Sequence, residues 1–459
     1  MKEQSYFAHY SQEVRNILKE KEIEPGDRIR IKSEDIDYEG YILPRIDIGD
    51  PWAIVLKQDD GYNVSVAYQS GVKIERIGEG ISLESFPKTY PEQRPDLPEI
   101  SLLATGGTIA SRIDYLTGGV VMAFTPSELF VAIPELSEIV RFKECNLLFN
   151  LASEDLWINE WRRMAEDAAK ELNSGASGVV ITHGTDCMGY SAAILSFMLH
   201  QGLSKPVVLT GAQRSSDRGS FDGAINLLCA SWLAGHADLA GVVVCMHGEP
   251  DDTYCLINRG TKVRKMHTSR RDTFRPINEV PIGKVWPNGK IKLTEKPQVP
   301  SKRRGETDVV PDTAFEEKIA LIKAYPGSNP EIIDFLTDKG YKGIIIEGTG
   351  LGHTPTSPPL SEEHRSWLPH VKRALEMEIF IGMTSQCIYG RVNPYVYRNL
   401  RLMSNAGVVY LEDMLPETAY LKLGWVLGHT QEKEEVERLM LKNFAGEITE
   451  KTDERAFLF

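Results

Sequence analysis

Charged and apolar residues alternate through Arg28-Ile29-Arg30-Ile31-Lys32, and a repeat of two predicts a strand with one face in water and the other in a core. Further alternating runs cover residues 38–43, 52–57, 62–67 and 72–76, separated by Gly49-Asp50-Pro51, Asp59-Asp60-Gly61 and Ser70-Gly71. Short, closely spaced strands joined by tight turns are the pattern of small barrels. With an amphipathic stretch over 10–21, they predict a small β-barrel domain over residues 1–85. Prolines at 87, 91, 95 and 98 give residues 86–98 the composition of a linker.

From Glu99 the period changes. Apolar runs at 99–104, 178–182, 206–210 and 239–245 alternate with helical stretches over 157–172, 191–200 and 221–233. Strands apolar on both faces and separated by helices predict a parallel sheet covered on both sides. A Pro/Lys/Arg-rich stretch over 297–311 interrupts this rhythm, and a smaller α/β set follows at 318–325, 342–347, 378–384 and 408–410. The expected fold class is therefore α/β, with one domain over 99–296, a connection over 297–313 and a second domain over 314–459.

Composition narrows the function. The 459 residues are 42% hydrophobic and 25% charged, the balance of an ordinary globular chain. Against 65 acids stand 52 bases, and the net −13 repels a phosphate backbone at long range. Residues 1–95 carry 13 bases and 18 acids, a balance of −5, so the predicted barrel is itself a poor phosphate binder. The polar start and the lack of any long apolar run predict a cytoplasmic protein with no membrane span. Six cysteines show no Cys-x-x-Cys pair or repeated spacing, so they read as reduced packing residues rather than zinc ligands.

Three strand ends finish in small residues and hydroxyls: Thr105-Gly106-Gly107-Thr108, Thr182-His183-Gly184-Thr185-Asp186 and Thr210-Gly211-Ala212-Gln213. In open parallel sheets the ligand crevice lies beyond the carboxyl ends of the strands, so these turns are expected to converge. Glycine allows a close backbone approach, and a hydroxyl beside it offers a nucleophile. A single Gly-Gly-Thr is also a plain tight turn with a helix cap; two threonine turns, one carrying Asp186, favour chemistry. Residues 259–275 hold seven Lys or Arg against one acid, Asp272. Such a run is a solvated basic loop, the surroundings of a lysine tuned by like charge, or a cradle for an anionic substrate. His183 and His353 read as packed turn histidines, with no second ligand at metal-binding spacing.

These residues resemble the bacterial-type asparaginase/glutaminase amidohydrolases from about Glu99 to the C-terminus. Thr105-Gly106-Gly107-Thr108-Ile109-Ala110 is similar to that family's first signature and His183-Gly184-Thr185-Asp186 to its second, followed by Gly211-Ala212-Gln213-Arg214 and Asp222-Gly223-x-x-Asn226. The resemblance implies an asparaginase-like two-domain parallel-sheet amidase with Thr108 as nucleophile. Thr185, Asp186 and Lys265 would form the proton-handling group, Lys265 standing in the family's Lys-x-x-Thr-x-x-x-x-Thr-Phe context. It further implies a lid with Tyr115, and substrate contacts from Gly107, Ser153, Glu154, Gly184 and Ala212, the backbone near Thr108 and Ala212 facing the oxyanion. Glu154 departs from the family, which usually has glutamine there.

The preceding barrel is what free-standing asparaginases lack. It resembles the D-subunit family of archaeal glutamyl-tRNA(Gln) amidotransferases, as does Thr384-Ser385-Gln386-Cys387-Ile388-Tyr389-Gly390-Arg391-Val392. That resemblance implies hydrolysis of glutamine or asparagine and delivery of ammonia to a partner, the amidotransferase E-subunit. The partner would hold most of the Glu-tRNA(Gln) and use ATP and Mg, with no cofactor in this chain. It also implies a dimer of this chain within a two-plus-two heterotetramer. The alternative is a stand-alone asparaginase/glutaminase whose barrel serves assembly.

Overall fold

The computed structural model describes residues 7–32, 37–45, 50–59, 63–69, 71–78, 94–106, 133–214, 220–295, 302–356 and 365–457, and the backbone of 111–114 and 119–122. The N-terminal part opens with α1 (Gln12–Glu20), capped by Ser11, whose hydroxyl accepts from the Val14 N–H. Five strands follow: β1 (Arg28–Lys32), β2 (Asp37–Ile42), β3 (Ala53–Lys57), β4 (Asn63–Ala67) and β5 (Lys73–Gly78). They pair antiparallel in the order β4-β3-β2-β1-β5. The period-two pattern is realised directly. Ile29, Ile31, Ile42, Ile54, Leu56 and Ile74 point into one core with Val14 and Leu18 of α1. Tyr10 ties the helix to the sheet, donating its hydroxyl to Leu43 O (2.8 Å) and accepting from Val55 N (3.0 Å).

The larger part begins with β6 (Glu99–Ala104), and β7 (Ser111–Asp114) and β8 (Gly119–Met122) pair with each other. The chain continues through β9 (Arg141–Leu147), α2 (Ile158–Asn173), β10 (Val179–Thr182), α3 (Met188–Met198), β11 (Pro206–Thr210), α4 (Gly223–His236), β12 (Gly241–His247) and β13 (Cys255–Arg259). A short hairpin of β14 (Val263–Lys265) and β15 (Phe274–Pro276) precedes β16 (Gly283–Val285) and β17 (Ile291–Leu293). The main sheet runs β17-β16-β13-β12-β11-β10-β6-β9. Strands β9, β6, β10, β11 and β12 are parallel, as the sequence predicts. The sheet then becomes mixed, because β13, β16 and β17 add antiparallel. Only residues 248–254 separate β12 from β13, too few for the crossover a parallel pair needs.

A second sheet, all parallel, follows in the order β18 (Ile319–Lys323), β19 (Gly343–Gly348), β20 (Phe380–Ser385) and β21 (Val409–Tyr410). It alternates with α5 (Glu331–Asp338), α6 (Leu368–Glu376) and α7 (Arg398–Ala406), and ends in α8 (Pro416–Leu427) and α9 (Lys433–Leu441). Helices α3 and α8 are apolar nearly all round, as buried helices are. Val179, Ile194 and Leu209 of the first set share one core with Ile345, Leu421 and Val426 of the second. The basic stretch between the sets is bonded to the first: Arg304 donates to Ala234 O and Ala237 O (3.0 Å each), and Ser204 to Thr307 O (2.9 Å). All six cysteines are free, and Cys387 is exposed, so it does not pack as the composition suggests.

Candidate active site

Three adjacent strands deliver the chemistry. Thr182 of β10 pairs in register with Ala104 of β6 and Thr210 of β11, so the following turns leave the sheet at one edge. Backbone bonds lock them together: Thr105 N donates to Thr182 O (3.1 Å), and His183 N to Thr210 O (2.9 Å). Gly106 has φ +123°, and a Cβ there would lie 2.3 Å from Leu151 O, so only glycine fits. A Cβ on Gly184 would lie 2.9 Å from Ser153 Cβ. The glycines thus let the segment carrying Ser153 press onto both threonine turns.

Ser153 is buried and its hydroxyl accepts from Cys187 N (3.2 Å), which fixes the start of α3. Glu154 is exposed beside it, 3.4 Å from that hydroxyl. Lys265 arrives from β14, across the hairpin from Phe274. Its Nζ donates to Thr185 Oγ1 (3.0 Å) and to Asp186 Oδ1 (2.8 Å). The lysine is largely buried while Asp186 is 70% exposed, so one end of the pair faces solvent. The structure therefore brings Thr185, Asp186, Lys265, Gly184 and Ser153 to one place. Gly107, Thr108 and Tyr115 lie outside the described residues. Ala212 is buried one residue beyond Gly211, whose carbonyl accepts from Asn226 Nδ2 (2.9 Å). The loop after it is closed by Asp222, which accepts from Gln213 N (3.0 Å) and Arg214 N (2.9 Å).

His183 sits under this site, buried, with Nδ1 2.6 Å from Gly184 O. Burial pushes its pKa down to about 4, so the ring is neutral at pH 7 and its proton resides on Nδ1, facing the carbonyl. His353 rests against Tyr397 with ring centroids 5.3 Å apart. Among the described residues, no group of three or more His, Cys, Asp or Glu is placed to hold a metal.

The basic run over 259–275 resolves neither as a solvated loop nor as an anion cradle. All seven cations are ion-paired: Arg259 with Glu279, Lys262 with Asp413, Arg264 with Glu417, Lys265 with Asp186, Arg271 with Asp252, and Arg270 and Arg275 both with Asp272. Sequence reasoning named Asp186 and Asp272 but missed Asp413 and Glu417, which lie some 150 residues from Lys262 and Arg264. It noted Asn226 only as part of a motif. In the structure Asn226 Oδ1 accepts from His247 N (3.0 Å), joining the ends of β11 and β12.

Three family descriptions match successive parts of the chain: GatD N-terminal domain over 23–77, Asparaginase, N-terminal over 99–299, and Glutaminase/Asparaginase C-terminal domain over 318–440. The glutamyl-tRNA(Gln) amidotransferase D-subunit of Pyrococcus horikoshii is 54% identical over 441 residues, 95% of this chain and 97% of that protein. The chain belongs to the D-subunit family of glutamyl-tRNA(Gln) amidotransferases. The D-subunit of Methanothermobacter thermautotrophicus is 44% identical, with 96% of this chain and 98% of that protein covered. Among solved structures, the thermostable L-asparaginase from Thermococcus kodakarensis superposes with a TM-score of 0.66 at 30% identity, covering 77% of this chain and 100% of its own. L-asparaginase I from Vibrio cholerae gives 0.63 at 29% identity, covering 77% and 99%. Membership of the D-subunit family thus makes this chain an enzyme of asparaginase-like fold. No described helix is long and apolar enough to cross a membrane.

Proposed function

We propose that this member of the D-subunit family hydrolyses the side-chain amide of glutamine or asparagine with Thr108 as nucleophile. The ammonia passes to a partner E-subunit, which amidates Glu-tRNA(Gln) with ATP and Mg. The observation that carries the amidase step is Lys265 Nζ within 3.0 Å of Thr185 Oγ1 and 2.8 Å of Asp186 Oδ1, beyond the ends of parallel strands. A threonine hydroxyl attacks an amide carbonyl only when a neighbouring group takes its proton. In this reading the Thr185–Lys265 pair accepts the Thr108 proton as the new C–O bond forms. It returns that proton to the amide nitrogen as ammonia leaves, and water then cleaves the threonine ester to a carboxylic acid. Asp186 holds the lysine in place and balances its charge. Backbone N–H groups near Thr108 and Ala212 face the oxyanion, Ser153 and Glu154 hold the amino-acid end of the substrate, and Tyr115 closes the lid.

Glutaminase assays on Thr108→Ala and Lys265→Met test the amidase. Each is expected to lose at least about 10²-fold in kcat/KM; retention of activity by either removes that residue from the mechanism. Adding the co-purified partner and Glu-tRNA(Gln) tests the second half. Strong activation is expected, whereas full glutaminase rate from the isolated chain supports a stand-alone hydrolase resembling the asparaginases above. The net charge of −13 is consistent with a partner, placed in a complex of two plus two chains, holding most of the tRNA.

A further inference from the structure

Lys265 is carried by a three-residue strand whose only partner among the described strands is β15, itself three residues long. A hairpin of this size does not hold its own position in water. What packs on it must aim the lysine. Two side chains just ahead of Lys265 reach into the C-terminal α/β set. Lys262 Nζ donates to Asp413 Oδ2 (2.7 Å) and to Asp413 O (3.2 Å), and neither charged side chain is exposed at all. The same carboxylate accepts from Thr449 N (2.9 Å), so it is held from its own side as well. Arg264 forms a two-pronged bridge to Glu417, Nε to Oε1 at 2.8 Å and Nη2 to Oε2 at 2.5 Å. Thr418 completes the grip by donating its hydroxyl to Thr261 O (3.0 Å).

Glu417 and Thr418 lie in the first turn of α8, four and five residues after Asp413. Residues 413–418, leading into and opening α8, thus hold positions 261, 262 and 264, and position 265 carries the lysine. Val263, between them, is buried on the other side, where its carbonyl would lie 3.0 Å from a Cβ on Gly189 of α3. Helix α3 begins directly after Thr185-Asp186-Cys187. The strand is therefore fixed between the element that leads out of the threonine turn and the element that supplies the carboxylates. A buried ion pair adds little stability over a well-packed apolar pair of similar volume, but it specifies one geometry. Arg and carboxylate in a fork define distance and plane together.

We propose that Asp413 and Glu417 are positioning residues for the amidase reaction. By gripping Lys262 and Arg264 they set where Lys265 Nζ stands against Thr185 and Asp186. The C-terminal set, which lends the described site none of its hydrogen-bonding groups, thereby governs the proton-handling step. This inference rests on the role proposed above for Lys265.

The experiment compares Glu417→Gln, Lys265→Met and the native full-length chain, assayed for amide hydrolysis across pH and for labelling of Lys265 by an amine-acylating reagent read by mass spectrometry. Glu417→Gln keeps size and one accepting oxygen but removes the charge and the second prong of the fork. A misplacement of about 1 Å costs up to about 10²-fold, so kcat is expected to fall between about 10- and 10²-fold with KM changed less than about twofold. The pH–rate profile and the Lys265 labelling rate should shift with it. If the folded Glu417→Gln protein keeps the native kcat, pH profile and labelling rate, the inference is overturned. If Lys265→Met keeps activity, the underlying reading falls instead, and the two failures are distinct. Should Glu417→Gln not fold, Arg264→Lys keeps the charge and the stem but loses the fork. It carries the same expectation, and native behaviour from it overturns the inference equally.

Discussion

Two segments with nearly the same texture have opposite fates. Arg28-Ile29-Arg30-Ile31-Lys32 alternates base and aliphatic residue throughout, and Lys262-Val263-Arg264 does the same before ending on a second base, Lys265. In β1 the bases stand 33–39% exposed and pair with surface carboxylates: Arg28 with Asp59, Arg30 with Glu39, Lys32 with Glu75. Around β14 the pattern turns inside out. Lys262 and Asp413 are both fully buried, and Glu417 is nearly so. The difference lies in what covers the strand. The outer face of β1 meets water, whereas β14 is enclosed by α3 and the start of α8. Alternation reports the period of a strand and not the polarity of its surroundings.

The largest effect that would break this comparison is Asp413→Ala. It leaves the Lys262 ammonium buried without its carboxylate, and such a loss is expected to cost about 3–5 kcal/mol in denaturant unfolding. Replacing both partners, Lys262→Met with Asp413→Leu, should recover most of that stability, held below the native value by about 1–3 kcal/mol because the buried Thr449 N–H loses its acceptor. The recovered protein should still hydrolyse amide more slowly, because an apolar pair does not reproduce the grip on β14. A cost below about 1 kcal/mol for Asp413→Ala would mean that water reaches Lys262, and that β1 and β14 differ less than their burial indicates.

The same contrast explains what was legible in the sequence. Repeats of two and the alternation of apolar runs with helices marked the five N-terminal strands, the parallel core and the second α/β set, because each depends on neighbours close in the chain. The antiparallel extension β13-β16-β17 was missed, since β16 and β17 have three residues each, too few to show a period, and β13 follows β12 after a short loop rather than a helix. At the site, His183-Gly184-Thr185-Asp186 and Lys265 were readable as types needed for acyl chemistry, and the structure joins Lys265 to Thr185 and Asp186 directly. The distant partners of the basic run were not readable. Nothing local distinguishes Asp413 or Glu417 from other acids in the chain, and only the fold brings them to Lys262 and Arg264.

His183 offers a third way to accommodate a base, and the next largest effect. It is buried, with no carboxylate bonded to it among the described residues, and its pKa is pushed by desolvation from the ordinary 6.5 down to about 4. The unfolded chain therefore binds a proton at a pH where the folded chain does not. Full stability is present above 6.5 and is lost as pH falls from 6.5 towards 4, by roughly 3 kcal/mol over the whole interval. Urea unfolding of the native protein and His183→Gln at pH 7 and pH 4.5 isolates the effect, because the other titrating groups are common to both. The native protein should lose more on acidification; equal losses would show that His183 reaches water or gains a partner.

The smallest effect belongs to β1, and it is the control that gives the others meaning. Arg28 Nη2 lies 2.6 Å from Asp59 Oδ2, as close as the buried pairs, yet Asp59 is 62% exposed. Distance alone would rank this bridge with Lys262–Asp413. Solvent screening ranks it far below, because both ions keep most of their hydration when apart. Asp59→Asn is expected to change unfolding free energy by less than about 1 kcal/mol, and the residual difference should vanish at about 1 M salt, where the Debye length is near 3 Å. In the same salt titration the cost of Asp413→Ala should barely move, because ions do not enter the buried site. If both costs fall together with salt, burial does not separate the two strands, and hydrogen-bond distance would be the better guide to what each base contributes.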